Sequence, residues 1–200
     1  MLDRTSMDEL RAGLEHAGFA HVDDRAIRAL VAGHGDLGDW PAFAASWDLL
    51  APDAYLAALG RHRRRRHAVF EMIPGIGIAR AAHQPHYQAL ANNPLQGGIE
   101  RWFEPIEDSV ASSRCMQSIL AFAGALFAPL SPDVGRWKIE VHQFRIEASP
   151  GSPGEPTPEG LHRDGVDYVL VVMADRHNIA SGTTSIHDLD GRLLGSFTLT

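Results

Sequence analysis

The feature that most constrains this 200-residue chain is a change of hydrophobic period near Pro132. Before it, apolar residues recur at helical intervals; after it they fall into short β-branched and aromatic runs. Four such runs follow one another: WKIEVHQFRIEA (137–148), DYVLVVMA (167–174), SGTTSIHD (181–188) and LLGSFTLT (193–200). The last two are joined by an Asp-Gly pair, Asp190 and Gly191, a strong hairpin signal. Strands in close succession without intervening helices predict an antiparallel sheet and exclude alternating βαβ units. DYVLVVMA is nearly continuous in its apolar character, which suits a strand covered on both faces.

The first half reads as helices. Ser6 and Glu9 have capping-box spacing ahead of Leu10, Leu14 and Ala17, so residues 6–17 should be helical, and Asp24 should start a second helix ending near Gly33. Residues 41–60 read as two short helices divided at Pro52. HAVFEMI (67–73) fits a first strand, broken by Pro74, Gly75 and Gly77, and residues 106–127 fit one long helix packed on a single face. The expectation is an α+β chain with a single domain over 1–200. Its parts would be a helical stretch (1–60), an irregular segment with the long helix (61–135) and a sheet region (136–200).

Charge and cysteine usage narrow the function classes. A net charge of −7 gives no general attraction for phosphate backbones or anionic membranes, so neither nucleic acid nor a membrane is an expected partner. The run RHRRRRH (61–67) is the exception, and in an acidic chain without interleaved aromatics it reads as a solvated or locally paired face. Cys115 is the only cysteine, which excludes an internal disulfide and a cysteine-rich zinc site. The amino-terminal stretch lacks the pattern of a signal peptide, and the expected location is the cytoplasm. Eleven histidines raise the prospect of metal chemistry.

Three His-x-Asp triplets occur: His21/Asp23, His34/Asp36 and His162/Asp164. Residues two apart on a strand point to the same side, so this spacing can supply two ligands of a two-histidine, one-carboxylate metal site. The first two triplets lie beside helices. Only His162 and Asp164, in PTPEGLHRDGVDYVLVV, stand at the mouth of an expected core strand, where the competing reading is a surface ion pair.

Around this triplet the chain resembles the bacterial 2-oxoglutarate/Fe(II) dioxygenases that include hydroxylases of free L-amino acids of the isoleucine type. The resemblance runs through RHRRRRHAVFE (61–71), PHYQALANNPLQGGIERWFEPI (85–106), WKIEVHQFRIEA (137–148), residues 156–191 and GSFTLT (195–200). It implies a double-stranded β-helix (jelly-roll) with helices packed outside, residues 136–200 forming the first half of the barrel. It also implies His162 and Asp164 as iron ligands, with 2-oxoglutarate and O2 as co-substrates and a small molecule, most readily a free amino acid, as the species hydroxylated. In that family a third histidine and a co-substrate arginine lie on later strands. No counterpart of either stands among these residues, so the chain is expected to stop within its barrel. The alternative is a cupin-type jelly-roll that holds metal without 2-oxoglutarate turnover.

Five further residues are candidates. Gln143 and Arg145 share one strand face and could bind a co-substrate carboxylate, or could simply face solvent. Glu159, His86 and Arg101 could contact substrate; Glu159 could equally be an exposed loop acid, and His86 and Arg101 lie in a polar irregular segment of the kind that can wall a site.

Overall fold

A computed structural model describes residues 5–57, 63–93, 97–148, 151, 154, 160–180 and 182–199. The amino-terminal helices form where the caps direct. Helix α1 (Met7–Ala17) opens on the Ser6/Glu9 capping box, and α2 (Asp24–Ala32) opens on Asp23, whose carboxylate accepts from the Ala26 amide. Helix α3 (Trp40–Ala45) has Pro41 in its first turn, is extended by a 3-10 turn at Ser46–Leu49, and is followed by the short α4 (Ala54–Ala57).

Strand β1 (Arg63–Ile73) starts four residues earlier than its apolar pattern suggests, because the arginine run is itself strand. It is the central strand of an antiparallel sheet ordered β2-β1-β5, where β2 is Gly77–Arg80 and β5 is Trp137–Ile146. Two-residue strands β3 (His86–Tyr87) and β4 (Glu100–Arg101) pair with each other, His86 opposite Arg101. The chain after β4 then runs along β1, with the His67 amide donating to the Glu104 carbonyl and the Ile106 amide to the His67 carbonyl.

The long helix expected over 106–127 is two: α5 (Asp108–Ala111) and α6 (Arg114–Phe127). The break falls at Ser113, which is extended at φ −60°, ψ 152° and caps α6 by accepting from the Met116 amide. Serine competes for backbone hydrogen bonds in this way, and a cap here outweighs continuation.

Register explains why the sheet has two different faces. On one, Ala68 and Phe70 of β1 and their partners Val141 and Ile139 of β5 pack against Phe43, Ile106, Val110, Met116 and Leu120 of the helical layer. A second cluster of Leu10, Val31, Phe122 and Leu126 joins α1 and α2 to α6. The opposite face carries Arg63, Arg65 and His67 beside Ile146, Phe144 and His142.

The carboxyl-terminal part departs from expectation at one place. Strands β6 (Thr183–His187) and β7 (Leu193–Thr198) form the predicted hairpin around Gly191, but residues 167–174 join no ladder among the described residues. They alternate instead of being covered on both faces: Tyr168 stacks on Phe127 and Leu170 packs on the second cluster, while Val169, Val171 and Met173 are exposed. A strand is defined by a partner backbone, and apolar character alone does not provide one.

Candidate active site

The polar face of β1 and β5 concentrates titratable groups. His67 and His142 are cross-strand partners with rings stacked at 4.7 Å, and β3 brings the His86 ring within 5.8 Å of His67 and 4.8 Å of His142. All three imidazoles face Glu140. Its Oε2 lies 2.5 Å from His86 Nδ1, 3.5 Å from His67 Nε2 and 3.8 Å from His142 Nε2, while Oε1 accepts from Lys138 Nζ at 2.6 Å.

Burial governs the charge states here. Desolvation pushes the His67 and His142 imidazoles below their ordinary range, and the Arg65 guanidinium reinforces this. Burial also opposes charge on Glu140, but the facing imidazoles of His67 and His86 and the Lys138 ammonium outweigh it and hold the carboxyl well below the usual range. His67 and His142 are therefore neutral imidazoles beside an ionised Glu140 carboxylate.

Arginines surround this set. Arg65 donates to His142 Nδ1 at 2.7 Å, lies 3.6 Å above the Phe103 ring and is 3.6 Å from the Asp53 carboxylate. Asp53 also accepts from Arg63 Nη2 at 2.9 Å and from the amides of Tyr55 and Leu56. Arg101 donates to Gln88 Oε1 at 2.6 Å, and Asn93 donates to the same oxygen. The described arginines of the basic run, Arg63 to Arg66, are thus each paired with an acid, and Arg63 and Arg65 share the buried face of β1.

His162 and Asp164 stand together on the loop after Gly160. His162 Nδ1 is 2.9 Å from the Gly160 carbonyl oxygen, which places the ring proton on Nδ1 and leaves Nε2 as a donor atom 3.4 Å from Asp164 Oδ1. Two ligands at about 2.1 Å from one ion and 90–110° apart are separated by about 3.0–3.5 Å, so the pair fits two adjacent coordination positions. Among the described residues no further His, Cys, Asp or Glu joins it. Gly165 sits at φ 72°, and a Cβ there would fall 2.0 Å from Asn92 Nδ2, so the loop is seated against the turn that leads to Asn93.

The other sequence candidates separate by face. His86 and Arg101 pair across β3 and β4 on the side of the histidine set. Gln143 and Arg145 point the other way, into the helical layer: Gln143 is buried and donates to Ser46 Oγ, and Arg145 is paired with Asp48 and Glu147. On this face Gln143 is enclosed, while the Arg145 side chain is about two-fifths exposed beside its two acidic partners. Glu159 lies outside the described residues. The remaining His-x-Asp triplets have structural duties, Asp23 as the α2 cap and Asp36 as acceptor from the Gly38 amide and partner of Arg114. Glu140, His67 and His142 were not singled out by sequence, since only the β1/β5 register unites them.

A profile of the 2OG-Fe dioxygenase family matches residues 44–200. The chain belongs to this family. The match takes in both the β1/β5 sheet and the His162/Asp164 loop. Among curated relatives, 3(1)-hydroxy-L-isoleucine 4-dioxygenase of Pantoea ananatis (strain AJ13355) is 30% identical over 92 residues, which are 44% of this chain and 37% of that enzyme. The matched part is thus well under half of that relative's length. Among solved structures, a bsmA homolog from Methylobium petroleophilum PM1 superposes with a TM-score of 0.84 at 33% identity, covering all of this chain and 78% of that one. IDO from Bacillus thuringiensis shares the fold at a TM-score of 0.58 and 17% identity, covering 80% of this chain and 66% of its own. The family's chemistry calls for Fe(II), 2-oxoglutarate and O2, and an imidazole Nε2 beside a carboxylate oxygen is the kind of donor pair that iron requires.

Proposed function

We propose that this protein hydroxylates a small molecule, a free L-amino acid, as an Fe(II)- and 2-oxoglutarate-dependent dioxygenase with His162 and Asp164 as two of its iron ligands. The observation that carries the reading is the His162 Nε2 to Asp164 Oδ1 approach of 3.4 Å within a chain of this family. Bound iron and 2-oxoglutarate supply oxidative decarboxylation to succinate and CO2 coupled to oxygen insertion into a C–H bond. The chain's own part is positional. The Gly160 carbonyl fixes the His162 tautomer, and the Gly165–Asn92 contact holds the loop against the wall built by Gln88, Asn93 and Arg101.

The amino-acid substrate is supported by the name of the Pantoea relative. His86 and Arg101 are the residues assigned to substrate contact. The proposed architecture is a single jelly-roll domain with the helical layer outside, for which the antiparallel β2-β1-β5 sheet packed on α6 through one face only is the supporting feature. A panel of L-amino acids tested for stimulated succinate release examines the substrate directly. At least one should raise the rate well above the uncoupled background; a flat response across the panel, with iron and 2-oxoglutarate bound, would remove amino acids as the substrate class.

A further inference from the structure

We infer that His67, His86 and Glu140 form a second metal site, for a divalent transition-metal ion of the Zn2+ or Co2+ kind, whose ligands are distinct from His162 and Asp164. The three come from β1, β3 and β5, and their donor atoms, with one from His142, lie within 4.8 Å of one another. Donor atoms on one such ion are separated by about 3.0–3.5 Å. The 3.5 Å between His67 Nε2 and Glu140 Oε2 already matches, and the 2.5 Å between His86 Nδ1 and the same oxygen is a hydrogen bond that an ion in the proton's place would open.

His67 supplies the independent observation. Its side chain is completely buried, yet neither ring nitrogen has a hydrogen-bond partner. A buried polar atom without a partner is costly and uncommon, and a metal ion facing Nε2 relieves that cost. Two imidazoles and one carboxylate are donors of intermediate softness, suited to Zn2+, Co2+ or Fe2+ and poorly suited to Mg2+ or Ca2+. Lys138 engages Glu140 Oε1 and so leaves Oε2 to the ion. His142 is not assigned as a ligand: its Nδ1 accepts from Arg65, which leaves the ring proton on Nε2, and it stacks over His67 as a wall of the site. An ion held here would tie the central sheet to β3 and take His86 as a ligand in place of the substrate contact proposed above.

The test uses the full chain with both His162→Ala and Asp164→Ala, stripped with chelator and titrated with Co2+. The expected result is one bound equivalent, visible ligand-field absorption and a raised thermal midpoint. Adding His67→Gln or Glu140→Gln should abolish the absorption and weaken Co2+ binding about 100-fold or more, with the far-ultraviolet circular dichroism unchanged. His86→Gln, outside the central sheet, serves the same purpose if the buried variants do not fold. No bound Co2+ in the double variant, or binding indifferent to these substitutions, would overturn the inference. The 2-oxoglutarate chelate absorption of the chain with native His162 and Asp164 reports on that pair separately, so the two sites can fail independently.

Discussion

At the scale of single residues, the buried charges around β1 set the terms. Asp53 has its carboxylate fully enclosed, pairs with Arg63 and Arg65 and caps the chain at Tyr55 and Leu56. Removing one partner of a buried ion pair leaves the other charge uncompensated. Asp53→Ala should therefore destabilise the fold by about 3–5 kcal/mol in urea unfolding, and Asp53→Asn, which keeps the amide caps, by less. Equal losses in the two variants would show that the charge alone, and not the caps, matters. The histidines make a second prediction. Burial holds His142 and His67 below the ordinary imidazole value of about 6.5. Between the folded and unfolded values the unfolded chain binds more protons, so stability rises with pH there; it is fully present above about 6.5 and is lost as the pH falls below it. Metal-free protein should unfold at lower urea at pH 5.5 than at pH 7.5. His142→Phe should flatten that dependence, and an unaltered slope would refute the assignment.

At the scale of elements, the loop bearing His162 and Asp164 depends on Gly165. Alanine there would adopt a left-handed φ at a cost of about 1–2 kcal/mol and meet Asn92 as well. Gly165→Ala should lower Fe(II) and 2-oxoglutarate loading while leaving the thermal midpoint of the apoprotein within a few degrees, because the loop lies outside both apolar clusters. Legibility from sequence divides along the same line. Such signals are local, so Ser6/Glu9 announced α1, Asp24 the start of α2, and Asp190-Gly191 the β6/β7 hairpin. Face assignment was not local. Gln143 and Arg145 looked like inward candidates and His142 did not, because the pleat distinguishes two faces but not which one the helices will cover. That choice belongs to Ala68 and Phe70, more than seventy positions away and joined to β5 only by register. The His162/Asp164 pair could be proposed from sequence because its two members are neighbours there; the His67, His86 and Glu140 set could not, since its members lie on three strands.

At the scale of the whole molecule, one face of a central antiparallel sheet is spent on the helical layer and the other on polar chemistry. No helix among the described residues is long and apolar enough to cross a membrane. The family match and the superposition on the Methylobium structure extend over both the sheet and the His162/Asp164 loop, so fold and candidate site stand or fall together. The most direct test adds Fe(II) and 2-oxoglutarate to the protein without oxygen and records the visible charge-transfer absorption of the chelate. The absorption should form with the native sequence and disappear in both His162→Ala and Asp164→Ala; a band of undiminished intensity in both variants would contradict the assignment of the iron site.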